Sequence, residues 1–142
     1  MRFVVVVLAL CVASMLSGAP AAVAVNGPIN VTATRTSSVS REIGRPGRVG
    51  NAVQQSWQLN DRRGRPVGRM LLSCRWIVAD ARYCSGEINM PLGKITVAGS
   101  SFTGLLGEYA VTGGTERYVA ASGVMNFTAI GARKQVLFIS LT

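Results

Sequence analysis

The run Tyr109-Ala110-Val111-Thr112-Gly113-Gly114-Thr115-Glu116-Arg117-Tyr118 constrains the fold of this chain more than any other segment. A strand-like stretch stops abruptly at a glycine pair, and a polar, helix-compatible step then leads toward Gly123. Glycine adopts positive φ without a Cβ clash, so Gly113 and Gly114 both suit a sharp change of direction. Such an ending belongs to a sheet that turns back on itself. It says much about the fold and little about a reaction.

The rest of the chain follows the same rhythm. Short segments rich in Val, Ile, Thr and aromatics are separated by Gly, Pro, Asn or Arg, and eight strands are expected near residues 29–36, 53–59, 68–77, 82–89, 94–101, 104–112, 123–130 and 134–141. Alternation is explicit in Val53, Trp57 and Leu59, in Met70, Leu72, Cys74 and Trp76, and in Gln135, Leu137, Ile139 and Leu141. Val136-Leu137-Phe138-Ile139 is apolar on both faces, which implies cover on both sides, by other elements or within a homo-oligomer. No helical period is present beyond a turn at residues 116–121. The expected fold is all-β, a single eight-stranded antiparallel β-barrel, whose closure removes exposed edges and whose interior is filled by side chains or holds one small ligand. Residues Ser37 to Asn51 are expected to be irregular, either a lid over one barrel mouth or a plain surface connection.

The ends and the charges narrow the setting. Arg2, the apolar stretch from Phe3 to Leu16 and the small residues Ala22 and Ala24 have the layout of an export signal, with cleavage expected after Ala24 and the barrel domain over residues 25–142. The apolar stretch is shorter than the roughly 20 residues of a spanning helix, so stable membrane insertion is not expected. Cys11 follows a bulky Leu10 too early to be a lipid anchor. The protein is therefore expected to be secreted, or to reach a periplasm-like compartment. There Cys74 and Cys84 suit a disulfide better than a metal site. In a 68–77/82–89 hairpin this pairing puts Ala79 at the tip, Trp76 opposite Arg82 and Met70 opposite Ile88, with the cysteine Cα atoms about 4.5 Å apart. The chain has no histidine, which removes the usual general base, the commonest zinc ligand and any Ser/His/Asp triad. No metal and no cofactor are expected.

Lys and Arg number 15 against 6 Asp and Glu, a net charge of +9. The arginines cluster at Arg41, Arg45 and Arg48 and at Arg62, Arg63, Arg65 and Arg69, beside Gly and Pro rather than on a helix face. No nucleic-acid motif accompanies them, so solvated loops with weak attraction to acidic surfaces are expected, and nucleic acid is not. The sequons at Asn30 and Asn126 fall inside expected strands and are not read as glycan sites.

Leu92-Gly93-Lys94-Ile95-Thr96-Val97-Ala98-Gly99, then Tyr109 to Thr115, Tyr118 and Gly123, resemble the allene oxide cyclase-like and dirigent-like β-barrel superfamily, with its GxIxVxG strand and its AVTGGTGxYxxAxG strand exit. Val49-Gly50-Asn51 and residues 60–69 resemble that family's glycine-punctuated entry to its middle strands. Glu116 stands where the family usually has glycine. Plant allene oxide cyclases carry a catalytic carboxylate on the first strand, and Ile29 to Thr36 contains none. The resemblance implies a barrel cavity, and for some bacterial relatives a cyclisation governed by cavity shape.

Within the strands, Glu87 and Glu108 are the candidate catalytic carboxylates, since burial in an apolar barrel raises a carboxyl pKa toward neutrality. The alternative places both on the outer face, ion-paired with nearby arginines. Trp57, Trp76, Tyr83, Asn89 and Tyr109 are the candidate ligand contacts. Three readings follow: a barrel that binds a small hydrophobic molecule, a cofactor-free cyclase or isomerase acting on a lipid- or polyketide-like substrate, and a structural or interaction barrel packed solid by Phe102, Met125, Phe127 and Phe138.

Overall fold

Strict two-residue alternation gives every strand an apolar row, and eight such rows bury one another only if the sheet closes. In the computed structural model, which describes residues 27–142 except Pro46, Thr103 and Gly104, it does. The expected export segment Met1 to Ala24, with Cys11, lies outside the described residues. The strands are β1 (Ile29–Arg41), β2 (Ala52–Asn60), β3 (Pro66–Val78), β4 (Ala81–Met90), β5 (Gly93–Phe102), β6 (Leu106–Gly114), β7 (Gly123–Gly131) and β8 (Lys134–Leu141). Each pairs antiparallel with the next, and β8 pairs back onto β1 through Val31↔Leu137 and Ala33↔Gln135. No helix among the described residues is long and apolar enough to cross a membrane.

The two ends of the barrel differ. At the end bearing the β2–β3, β4–β5 and β6–β7 connections the interior is packed. Leu59, Met70, Ile88, Ile95, Met125, Leu137 and Ile139 are fully buried there, each contributing about 1.5–3 kcal/mol. A single-turn 3-10 helix, Glu116–Tyr118, crosses this end and sends the Tyr118 ring into the core. At the opposite end open the β1–β2, β3–β4, β5–β6 and β7–β8 connections, and the interior becomes polar.

The β3–β4 hairpin has the expected register, with Met70↔Ile88, Cys74↔Cys84 and Trp76↔Arg82, and the cysteines form a disulfide with Cα atoms 4.0 Å apart. A bulge after Trp76 pairs Val78 with Ala81, so Ala79 and Asp80 share the tip. Three further details depart from expectation. Strand β1 runs on to Arg41, because an irregularity between Arg35 and Ser37 restores pairing as far as Arg41↔Ala52, so the irregular segment is only residues 42–51. Of the glycine pair, only Gly113 has positive φ, at 146°. Gly114 is required for space: a Cβ there would lie 2.6 Å from the Tyr118 Cβ.

Phe102 and Phe138 face outward, whereas Met125 and Phe127 face inward, so only two of the four residues expected to pack the barrel solid lie inside it. Val136 and Phe138 account for the two-sided apolar character of β8: both project from its outer face.

Candidate functional site

The mouth-side half of the barrel holds a partly open cavity of about 150 Å³. Its wall includes Arg35 on β1, Gln55 and Trp57 on β2, Cys74 on β3, Arg82 on β4, Tyr109 on β6, Phe127 on β7 and Gln135 on β8. All project inward by strand parity, sharing faces with Ala33, Leu59, Leu72, Cys84, Val111, Met125 and Leu137.

Local contacts fix most of these side chains. The Arg35 amide donates to the Arg133 carbonyl at 2.8 Å, its guanidinium donates to the Ala132 carbonyl at 3.1 Å, and Arg133 donates back to the Arg35 carbonyl at 3.0 Å. The β1 irregularity is thus clamped to the β7–β8 turn, with the Arg35 guanidinium 5.8 Å from the centre of the Trp57 ring. Tyr109 lies over Gly99, where a Cβ would come within 3.1 Å of the ring, and stacks on Phe127 at 5.3 Å. The Tyr109 and Ser101 hydroxyls share a 3.2 Å hydrogen bond. The disulfide sets the rung from which Trp76 and Arg82 each stand two residues farther toward the mouth, and the Arg82 guanidinium lies 5.9 Å from the Trp76 ring centre.

The electrostatics of the cavity are one-sided. Trp57 Nε1 and Arg82 Nε are buried donors with no acceptor among the described residues. An unpaired buried donor costs about 1–3 kcal/mol, so the pair is either a liability or a recognition device. No carboxylate lines the cavity. Among the described residues the ion pairs are Arg65–Asp61 and Lys94–Glu87, both remote from it.

Glu87 lies outside the barrel, where Asn89 and then Lys94 hydrogen-bond its carboxylate and hold its pKa below the ordinary value. Glu108 is exposed on the outer face of β6, opposite Asn126. The parity that turns Tyr109 and Ile88 inward turns both glutamates outward, as the alternative reading held, with lysine rather than arginine as the partner of Glu87. Tyr83 is exposed, and Asn89 faces outward beside Glu87. Trp76 is half-buried at the rim, and Trp57 and Tyr109 line the cavity itself. Sequence reading missed Arg35, Gln55, Arg82, Ser101 and Gln135. The register pairing Trp76 with Arg82 already placed Arg82 on the face of Cys84.

Two wider hollows, about 660 and 970 Å³, lie against the outer wall, where Leu71, Ser73, Glu87 and Thr96 line the first and Arg69, Asn89 and Met90 the second. Trp57 also borders the second hollow, whereas Arg82 borders neither. The interior cavity is the better site on chemistry, not on size.

Comparison with known proteins agrees with this architecture. The family described as the allene oxide cyclase barrel like domain matches residues 31–141. A comparison with curated proteins finds no match. Among solved structures, a pyocyanin demethylase superposes with a TM-score of 0.76 at 21% identity, covering 82% of this chain and 100% of the other. The Diels-Alderase AbmU from Streptomyces koyangensis gives 0.70 at 18% identity, over 81% of this chain and 63% of that one. A pterocarpan synthase dirigent protein gives 0.65 at 11% identity, over 81% and 92%. At these identities the likeness is one of fold.

Proposed function

The chain belongs to the allene oxide cyclase barrel-like family, and from that premise we propose that it is an exported barrel that binds a compact small molecule in the mouth-side half of its interior. The observation that carries this reading is the pair of buried donors without an acceptor, Trp57 Nε1 and Arg82 Nε, on residues that line the partly open interior cavity. Cavities of about 150 Å³ accept a single aromatic ring. The occupant is therefore one ring in size, or the ring-sized end of a longer molecule that leaves through the mouth. The sequence expectation of a small hydrophobic ligand becomes more specific: Phe127, Leu72 and the Tyr109 ring supply apolar walls, and Arg35, Gln55, Arg82 and Gln135 supply polar ones. The Cys74–Cys84 bond and the apolar N-terminal segment support a location in an oxidising compartment.

A second reading, a cofactor-free cyclase or isomerase, is favoured by one observation. Tyr109, whose hydroxyl is held by Ser101, lines a cavity that also holds Arg35 and Arg82, groups that can orient a substrate and stabilise charge developing on it. With no carboxylate in the wall, such a reaction relies on positioning and on those donors rather than on a carboxylate base. Native mass spectrometry of the purified protein against a panel of single-ring and lipid- or polyketide-like compounds tests the binding reading. A one-to-one complex lost on Trp57→Ala supports it. No complex with any compound contradicts it and leaves the structural barrel.

A further inference from the structure

We propose, resting on the reading above, that the cavity selects an organic oxyanion, a small carboxylate or enolate, whose charge is countered by the Arg82 guanidinium in its wall. Arginine stays protonated under any ordinary condition, so the unpaired Arg82 Nε–H is part of a fixed positive charge. The cavity wall holds three cations, Arg35, Arg82 and Lys134, and no carboxylate, and neither ion pair among the described residues involves them. A neutral carbonyl could satisfy the indole N–H. Only an anion also neutralises the guanidinium, and hydrogen bonds between charged partners are roughly twice as strong as neutral ones.

A second observation is independent of the buried donors. The strand ends and connections at this end of the barrel carry cations from separate elements: Arg35 and Arg41 on β1, Arg45 and Arg48 in the 42–51 loop, and Arg133 and Lys134 at the β7–β8 turn, of which Arg35 and Lys134 line the cavity. Glu42 and Asp80 are the acidic residues in the connections at this end. The 42–51 loop is not free to carry its arginines away. Asn51 holds it through the Ile43 amide and the Arg45 carbonyl, and the Asn51 carbonyl accepts from the Trp76 amide at 2.9 Å. A mouth whose cations outnumber its acids focuses the field and speeds the entry of anions. The clusters that sequence reading assigned to solvated loops thus divide by barrel end: those at the mouth serve entry, and Arg62, Arg63, Arg65 and Arg69 lie toward the other end.

The test is calorimetric titration of the full chain with benzoate and with benzamide, which share size and shape and differ in charge. Benzoate is expected to bind roughly tenfold or more tightly than benzamide, a preference that weakens as ionic strength rises and is lost in Arg82→Gln. Equal affinities, or tighter binding of benzamide, overturn the selection of an anion and leave the binding reading standing. Binding of neither probe, together with an empty native mass-spectrometric panel, overturns both. The comparison is made on the unaltered protein, so it holds even if Arg82→Gln fails to fold. A preference retained in a folded Arg82→Gln protein also overturns the proposal.

Discussion

Arg82 stands opposite Trp76 across the β3–β4 hairpin, two residues beyond the Cys74–Cys84 bond, with its guanidinium 5.9 Å from the indole ring. The covalent link therefore fixes the register that turns Arg82 inward. A slip of one residue would place it outside the barrel.

Loss of the disulfide should accordingly cost both stability and the site. With ten residues separating the cysteines, the chain-entropy account gives about 2.5–3 kcal/mol. The Cys74→Ala/Cys84→Ala protein is expected to lose about that much in urea unfolding, and its ligand affinity should fall further than that of a protein destabilised equally at the far end. Unchanged stability would show that the hairpin register is set by packing alone.

Glu116 has φ of 54°, a left-handed conformation that costs a non-glycine residue about 1 kcal/mol or more. The family's usual glycine at this position has its reason here, and this chain keeps the turn at a cost. Glu116→Gly is expected to stabilise the protein by about 0.5–1 kcal/mol, the gain being reduced by the greater freedom of glycine in the unfolded chain. Urea denaturation measures it, and a loss of stability would contradict the strain account.

Burial raises the Tyr118 pKa above its ordinary value of 10.0. The folded state then holds the phenol proton more tightly than the unfolded chain does. This contribution is fully present below pH 10 and is lost as the pH rises from there through the folded-state pKa. Tyr118→Phe should flatten the alkaline limb of stability against pH. An unaltered limb would place its origin elsewhere.

Asn51 is buried, and its side chain accepts from the Ile43 amide at 2.6 Å and donates to the Arg45 carbonyl at 2.9 Å. Asn51→Ala is expected to cost about 2 kcal/mol and to speed amide exchange at Ile43, while β5 and β8 stay protected. Exchange that quickens uniformly would make Asn51 a general packing residue rather than the anchor of the mouth loop.

Most of the scaffold was legible because period-two patterning and glycine turns act locally. Val53, Trp57 and Leu59, and Met70, Leu72, Cys74 and Trp76, show their inner face in one dimension, and the cysteine spacing supplies the hairpin register. The site was less legible. Parity divides residues into two faces without naming the inner one for a polar strand, so Glu87 and Asn89 in β4 were as eligible as Arg82. Arg35 keeps the parity of Val31 and Ala33, but its guanidinium is held by a clamp to the β7–β8 turn nearly a hundred residues away, which no local pattern announces. Asn51 looked like the end of a loop because its partners lie in that loop and at Trp76.

The most direct measurement of the central claim follows the Trp57 indole N–H by two-dimensional NMR during titration with benzoate, using Trp57→Phe to assign the signal. The account predicts a saturable shift of that resonance, accompanied by the Gln55 and Gln135 side-chain amides. Shifts confined to Leu71, Thr96 and their neighbours on the outer wall, with the Trp57 indole unmoved, would contradict it.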